Sequence, residues 1–427
     1  MSKRQTSKQS KLLIEHPNTT EISESETRQN EKHSNSRIQE SNTYFWRAHT
    51  VTALIIVSVV LVYVTMFEIP SADSAFNMRR GVIAVTLVFI LVATIHMPDG
   101  PFLRPHPVVW RLVMSCSIVY LLFLIFLLFQ NHDDVRQFLV IFDPKLGRPL
   151  PERTYAEDCR LYVPENVENP YFNMFDKMDV FVPCHFFGWW VKALILRDFW
   201  ILNILSFLFE IMEYLLEHQL PNFGECWWDH WILDFVFCNG LGICFGMLTL
   251  HYLSAKTYQW RSLYNIPTFK GKLKRAIGQF MPYSWTSFHW GYMESLYRWL
   301  VIWCIVLFWM VMELNTFYLK AILWVPANHI LNFYRVTLYA LIGSVSIREM
   351  HDYLDDKTNI FGRQAWITVF LIIVEVLIEI KFGEEIYSVP WPRWVVIVIV
   401  GSLIAWCLYT IFYFYSLAKI HSTKKSK

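Results

Sequence analysis

Residues 199–253 read FWILNILSFLFEIMEYLLEHQLPNFGECWWDHWILDFVFCNGLGICFGMLTLHYL, two apolar segments joined by a short polar turn. Acidic and amide side chains lie in the turn and within both apolar segments. An ionised carboxylate in the middle of a bilayer costs roughly 3 kcal/mol on insertion scales, so it persists where it is paired, hydrated or bound to a cation. We therefore expect the functional site in this stretch.

Apolar runs of about 20 residues recur along the chain, which is the length a helix needs to cross ~30 Å of hydrocarbon. Of the 427 residues, 54% are hydrophobic. The predicted spans are 48–67, 81–97, 108–130, 199–217, 231–253, 297–320, 328–346, 364–380 and 393–415. A shorter run, 181–197, is either a further span or a re-entrant segment. The sequence therefore predicts an all-α, polytopic integral membrane helical bundle of about ten transmembrane helices.

The two ends of the chain bear on its orientation. Residues 1–43 are polar and contain no apolar h-region, which predicts a disordered tail rather than a signal peptide. The final lysines, at 424, 425 and 427, either match the dilysine signal that retrieves proteins to the endoplasmic reticulum or form a basic stop beside the membrane. If both ends are cytosolic, the number of spans is even and 181–197 crosses. The predicted domains are a disordered cytosolic tail (1–43), a multi-span membrane catalytic domain (44–416) and a short basic cytosolic tail (417–427).

Loop charges agree with ten spans, except that Arg79 and Arg80 precede the second span on the luminal side. The connection 254–296 is rich in Lys and Arg and falls on the cytosolic side, as the positive-inside rule expects. The connection 131–180 is net acidic, falls in the lumen and is predicted to be a Pro-rich ordered loop. This arrangement turns the acidic stretch at 222–229 toward the lumen of the endoplasmic reticulum.

Charge and cysteine content exclude some classes of protein. The net charge is +2 and the basic residues flank predicted spans, so no nucleic-acid partner is expected. The eight cysteines form no CxxC pair, and most lie within apolar runs. We therefore expect neither a zinc site nor a disulfide framework.

The acidic residues are arranged in a way that favours a metal. Glu210, Glu213 and Glu217 are spaced i, i+3 and i+7, so they share one helix face and repel one another. Glu217 stands at a helix end, where a solvated carboxylate is the ordinary interpretation. Carboxylate and amide oxygens are the ligands that Ca²⁺, Mg²⁺ and Mn²⁺ prefer. The predicted metal ligands are Glu210, Glu213, Glu225, Asp229 and Asp234.

A structural ion-pair network is the competing interpretation of this acidic cluster. The chain has no Lys or Arg between Arg197 and Lys256 to complete such a network, which favours a metal. Asn222 and Asn239 belong either to the site or to a turn and a helix break. His185 is either a structural residue at the membrane interface or, as a neutral imidazole, a general base. Arg197 and Arg335, like Glu313 and Arg348, lie in or beside spans and either bind phosphate or brace helices.

Four strings resemble the eukaryotic base-exchange phosphatidylserine synthases, and the resemblance covers roughly residues 44–380. The strings are LPNFGECWWDHWILD (220–234), DPKLGRPLPERTY (143–155), KTYQWRSLYNIPTFKGKLKR (256–275) and ELNTFYLK (313–320). The DPKLG and LEHQLPNF strings look more like the type two enzyme than type one. Beyond residue 380 there is little resemblance, so the last span rests on hydropathy.

The resemblance implies a calcium-dependent, homodimeric enzyme of the endoplasmic reticulum membrane that uses no nucleotide. Such an enzyme exchanges L-serine for the head group of phosphatidylethanolamine in type two, or of phosphatidylcholine in type one. The resemblance gives the catalytic role to His185. It matches the family's acidic and amide set to Glu210, Glu213, Asn222, Glu225, Asp229, Asp234 and Asn239. The residues predicted to bind substrate are Asn222, Asn239, Arg197 and Arg335.

Two further classes of membrane protein also place acidic residues within the bilayer. A CTP-linked alcohol phosphatidyltransferase requires a D-G-x-x-A-R string, and here Asp99-Gly100 is followed by PFLRP. A cation-coupled transporter would also use buried carboxylates, but such proteins commonly carry broken helices in two corresponding halves. The chain has one acidic cluster and no second copy.

Overall fold

A computed structural model describes residues 48–67, 71–102, 106–150, 156, 158–178, 181–254, 266–279, 288–356 and 358–425. Throughout these ranges the regular secondary structure is helical, and they contain no strand. The predicted all-α class is therefore confirmed. The predicted tail at 1–43 lies outside the described ranges, as does the first half of the string at 256–275, residues 256–265.

The chain divides into two compact units, Met1–Ile69 and Pro70–Lys427. The first contains α1 (Ala48–Phe67), which coincides with the first predicted span. The helices of the second unit are α2 (Ser74–His96), α3 (Pro107–Leu128), α4 (His132–Phe142), α5 (Phe172–Lys177), α6 (Phe181–Leu196), α7 (Phe199–Leu216), a 3₁₀ turn (Pro221–Phe223), a π-helix (Asp229–Gly240), α8 (Leu241–Ser254), α9 (Phe269–Gln279), α10 (Leu296–Ile322), α11 (Ile330–Asp355), α12 (Arg363–Phe382), α13 (Glu384–Tyr387) and α14 (Arg393–Lys425).

Seven of the described helices are long and apolar enough to cross a membrane. They are α2, α3, α7, the π-helix continued by α8, α10, α11 and α14. The apolar helix α6 is shorter, at 16 residues, and α12 carries Glu375 and Glu379 within its apolar stretch. A polytopic membrane protein is thus confirmed, while the count of ten spans stays a prediction.

The core of the second unit lies where α3, α10, α11 and α12 meet. Leu127, Ile342, Leu371 and Ile378 are fully buried there. By contrast, α2 and α14 present apolar side chains outward, among them Leu87 and Ile397, which are 61% and 70% exposed. Apolar outer surfaces of this kind are suited to contact with lipid.

Close packing of α6 against α8 brings two parts of the site together. A Cβ atom at Gly242 would clash with the backbone carbonyl of Phe186, and one at Gly246 would clash with the side chain of Ala193. Glycine at these two positions therefore permits the helix backbones to approach closely. The approach holds the π-helix beside the beginning of α6, where His185 lies.

Two expectations for residues 131–180 need correction. The segment begins with a helix, α4, which buries Val135 and Leu139, rather than with a loop. Arg136 of α4 is buried and donates hydrogen bonds to the Ile322 carbonyl, which fastens the helix to the end of α10. Cys159 forms a disulfide with Cys226, so the expectation of no disulfide was wrong. The pair was missed because the two residues lie 67 positions apart and share no motif.

Candidate active site

One side of the site is formed by α7. Glu210 and Glu213 are both buried and lie one helical turn apart, facing the π-helix. Glu217 follows the last turn of α7 and is exposed, in agreement with a solvated carboxylate. Two of the three stacked glutamates therefore belong to the interior of the molecule.

The other side is the π-helix, in which Asp229, Asp234 and Asn239 are all buried. Each of the three lies five residues after the previous one along the chain. In an α-helix, residues five apart differ by roughly 140° around the axis. The i→i+5 hydrogen bonds of a π-helix instead bring residues five apart toward one face, and such helices are frequent at functional sites. The unusual helix type therefore gathers these three side chains.

His230 lies between the two sides. Its Nδ1 atom is 3.2 Å from Glu210 Oε2, 3.3 Å from Glu213 Oε2 and 4.0 Å from Glu225 Oε2. Sequence reasoning missed this residue. The available signal was a histidine directly after Asp229 in an apolar segment that already contained carboxylates.

Asn239 connects the end of the π-helix to α7. Its Nδ2 atom donates to Glu210 Oε1 at 2.9 Å and to Ser206 Oγ at 3.0 Å. Both oxygens of Glu210 thus have protein partners, since Oε2 faces His230. Of the two sequence interpretations of Asn239, the geometry supports membership of the site.

Glu225 extends from the turn between α7 and the π-helix. It forms one group with Asp229 and Asp234, in which one oxygen from each residue lies within 4.8 Å of the others. Glu210, Glu213 and His230 form a second group with the same spacing. Burial, together with the nearby charges of Glu213 and Asp234, raises the pKa of Glu225 to about 9. A cation among these groups would favour the ionised carboxylate.

His185 lies at the edge of the acidic cluster, near the beginning of α6. Its Nδ1 atom is 3.4 Å from Asp234 Oδ1, and its side chain is half-buried. Asp234 therefore belongs to the acidic group and also contacts the histidine. The structure brings His185 together with the predicted metal ligands, as a catalytic role requires.

The remaining predicted residues lie elsewhere. Asn222 is half-buried in the 3₁₀ turn, and no described hydrogen bond joins it to the carboxylates. Arg197 follows the last residue of α6, about 18 Å from His185 along the helix axis, with its guanidinium 4.5 Å from the centre of the Phe288 ring. Arg335 forms an ion pair with Glu375 at 2.7 Å. The substrate-binding roles of these residues stay predictions.

A divalent cation fits this donor set. Three buried atoms of the cluster have no hydrogen-bond partner among the described residues: Asn239 Oδ1, Glu225 Oε2 and His230 Nε2. Two of these are oxygens beside several carboxylates. The positive charge of Lys177 also acts on Asp229. Carboxylate and amide oxygens are the type of ligand that Ca²⁺ prefers.

A family model covers the part of the chain that contains this site. Residues 105–383 match the family model described as phosphatidyl serine synthase, which is more than half of the chain. The chain belongs to the phosphatidylserine synthase family. The match includes His185, the five carboxylates, Asn222 and Asn239, and the resemblance seen in the sequence is confirmed.

Relatives named phosphatidylserine synthase 2 are similar over most of the chain. The protein of Danio rerio is 48% identical over 377 residues, which are 87% of this chain and 83% of the relative. The protein of Homo sapiens is 50% identical over 357 residues, covering 83% of this chain and 73% of the relative. A relative named phosphatidylserine synthase 1, from Danio rerio, is 34% identical over 378 residues, covering 87% of this chain and 80% of the relative. The type two assignment is therefore confirmed, and the chain is a phosphatidyltransferase.

A plant relative carries a different name. The protein of Oryza sativa subsp. japonica is named CDP-diacylglycerol--serine O-phosphatidyltransferase 2 and is 40% identical over 377 residues, which are 85% of this chain and 89% of the relative. This name specifies CDP-diacylglycerol as the donor of the phosphatidyl group, whereas the name phosphatidylserine synthase 2 specifies no donor.

Proposed function

We propose that this chain makes phosphatidylserine by calcium-dependent exchange, in which L-serine replaces the ethanolamine head group of phosphatidylethanolamine. The observation that carries the proposal is the contact between His185 and Asp234, because it joins a potential base to a buried cluster of carboxylates. Phosphatidylethanolamine as the donor rests on the resemblance to the type two enzyme, which the relatives named phosphatidylserine synthase 2 share. The type one alternative would use phosphatidylcholine.

The carboxylates that would hold calcium are Glu210, Glu213, Glu225, Asp229 and Asp234. Bound there, calcium would offset the negative charge that develops on the phosphoryl oxygens. The protein prepares this arrangement by burying the oxygens between α7 and the π-helix, where water competes little for them. Arg197 and Arg335 lie outside this group, so calcium held by the carboxylates would be what offsets the phosphate charge.

His185 supplies the proton transfer. Its Nδ1 lies 3.4 Å from Asp234 Oδ1, which favours the proton on that nitrogen and leaves Nε2 of the neutral ring to accept the proton of the serine hydroxyl. The serine oxygen then bonds to phosphorus as the bond from phosphorus to the ethanolamine oxygen breaks, and the same proton passes to the departing oxygen. One phosphodiester replaces another of similar energy, so the reaction needs no nucleotide.

A luminal position of the site supports calcium as the metal. Disulfides persist in oxidising compartments such as the lumen of the endoplasmic reticulum, and the Cys159–Cys226 bond lies directly beside Glu225. The lumen is also where calcium is abundant enough to fill a site of ordinary affinity. We therefore propose a multi-pass protein of the endoplasmic reticulum membrane with cytosolic termini, a luminal site and, from the family resemblance, a homodimeric assembly.

The test is a donor comparison with purified protein in detergent. Labelled L-serine and calcium are supplied with phosphatidylethanolamine, phosphatidylcholine or CDP-diacylglycerol in separate reactions. We expect labelled phosphatidylserine and stoichiometric free ethanolamine from the first donor, and no product when calcium is chelated. The variant Asp234→Asn serves as the inactive control.

Each other outcome overturns a defined part of the proposal. Faster release of choline than of ethanolamine would replace the donor by phosphatidylcholine. Release of CMP from CDP-diacylglycerol, without exchange, would give this chain the donor named for the rice relative. If no donor gave labelled phosphatidylserine, and the protein reconstituted in sealed vesicles transported cations, the transporter interpretation would be favoured.

A further inference from the structure

His230 is almost completely enclosed, with a side chain only 1% exposed. Its ring lies 4.4 Å from the ring of Tyr214, measured between centres, and this contact fixes the plane of the imidazole. In that plane Nδ1 is directed at the Oε2 atoms of Glu210 and Glu213, at 3.2 and 3.3 Å. One nitrogen thus lies within hydrogen-bond range of two carboxylates.

The surroundings determine which ring nitrogen carries hydrogen. An unprotonated Nδ1 would direct its lone pair at two carboxylate oxygens, which is repulsive, so Nδ1 is the donor. Glu210 and Glu213 come from successive turns of α7 and repel each other, and a shared donor offsets that repulsion. Asn239 holds the other oxygen of Glu210 from the opposite side.

We infer that His230 is a positioning residue of the calcium site: its Nδ1–H holds Glu210 and Glu213 at the separation that the metal requires. This inference rests on the proposed calcium-dependent function. In this role His230 acts through the two glutamates, and its Nδ1 is not itself a ligand of the metal. Outer partners that orient metal ligands typically contribute 10–100-fold to metal affinity.

Two substitutions separate donation from other roles of the ring. The amide nitrogen of Asn occupies nearly the position of histidine Nδ1, whereas that of Gln corresponds to Nε2. His230→Asn therefore retains a donor toward the glutamates. In His230→Gln the amide nitrogen lies at the position of Nε2, away from the glutamates, and His230→Leu removes the donor. The matched control is His218→Leu, since His218 lies just beyond the end of α7 and neither of its ring nitrogens has a hydrogen-bond partner among the described residues.

The experiment measures calcium binding to the purified full chain by titration calorimetry, beside the calcium concentration that gives half-maximal exchange. We expect His230→Leu to weaken calcium binding by about 10–100-fold and to raise the half-saturating concentration equally, with kcat at saturating calcium near wild type. His230→Asn should stay within about threefold of wild type because its hydrogen bond is retained. His218→Leu should bind calcium normally.

Melting curves recorded in chelator establish that each variant is folded. If His230→Leu does not fold, the comparison of Asn with Gln decides, and Gln should bind calcium more weakly. Wild-type affinity in His230→Leu, or equal losses in Asn and Gln, would overturn the positioning role. A wild-type protein that binds calcium but makes no phosphatidylserine would contradict the proposed function alone, whereas one that binds no calcium would overturn both.

Discussion

Cys226 is joined by a disulfide to Cys159, and the residue before it in the chain, Glu225, belongs to the acidic cluster. Trp228 Nε1 also donates to the Cys159 carbonyl at 3.1 Å. The turn that leads into the π-helix is therefore attached to the preceding loop at two points. In addition, the Cys226 carbonyl accepts the backbone amides of Asp229 and His230, which starts the π-helix. The disulfide thus holds in place the part of the site that α7 does not.

Removing this disulfide should loosen the turn and weaken calcium binding. The double variant Cys159→Ser, Cys226→Ser is expected to lose about 2–4 kcal/mol of stability, as is typical when a native disulfide is removed. Its melting temperature in detergent should fall, and reductant should lower that of the wild type similarly. Cys407→Ser is the control, because Cys407 is a free cysteine on α14. An unchanged melting temperature and calcium requirement in the double variant would show that the turn holds its shape without the bond.

Replacing Asp229 or Asp234 by Asn should abolish exchange while leaving folded protein. Each substitution removes one charged ligand but keeps the size of the side chain, so the packing of the π-helix is preserved. The measurement is calcium-dependent release of ethanolamine beside a melting curve. Glu217→Gln is the matched control, because Glu217 is exposed and follows the end of α7. If both aspartate variants catalysed exchange at the wild-type rate in excess chelator, the assignment of these residues as metal ligands would be wrong.

The sequence was sufficient to predict the helical class and most of the site. Apolar runs of spanning length identify the membrane helices because hydrocarbon requires them. The face shared by Glu210 and Glu213 followed from α-helical spacing, and α7 is an α-helix. Helix ends were predicted less well. The helix α2 begins at Ser74, where Asp73 caps it, whereas the predicted span began at 81 because Arg79 and Arg80 interrupt the apolar run.

The features that the sequence did not reveal depend on unusual or distant geometry. The α-helical period separates Asp229, Asp234 and Asn239, whereas the π-helix gathers them, and no propensity rule predicts twelve residues of π-helix. The role of His230 appears only once α7 and the π-helix face each other. Cys159 and Cys226 are paired by the fold, which sequence spacing does not encode.

Arg335 provides a test between bracing and substrate binding. Its guanidinium donates to both oxygens of Glu375, a fully buried carboxylate that also accepts from Tyr120 and Asn315. Arg335→Leu should therefore cost about 3–5 kcal/mol, since it leaves a buried charge without its partner. The double variant Arg335→Leu, Glu375→Leu should recover part of this loss. The measurements are melting temperatures of both variants and the KM for serine and lipid.

A substrate-binding Arg335 would give a different pattern. KM for lipid would rise in the single and double variants alike, irrespective of stability. Lys192→Met is a useful comparison, because Lys192 forms a similar ion pair with Glu313 at 2.8 Å. Stability losses without a change in KM, in both Arg335→Leu and Lys192→Met, would assign the two pairs to bracing.

His185 is expected to be the base or the nucleophile of the exchange, and kinetics separate the two roles. If His185 is the base, the His185→Ala enzyme should lose at least ~10²-fold in kcat. No covalent adduct should form, and the kcat/KM of the wild type should rise with pH as the imidazole loses its proton. As a nucleophile, it gives ping-pong kinetics and an acid-labile phosphatidyl adduct that can be trapped on the protein. We expect the direct route, because a serine hydroxyl held in line with a metal-bound phosphate needs no intermediate. Asp234 enters both routes through its contact with Nδ1, so Asp234→Asn should reduce kcat even where calcium is saturating. His218→Ala should keep the wild-type rate, and a His185→Ala variant with near-full activity would return His185 to a structural role.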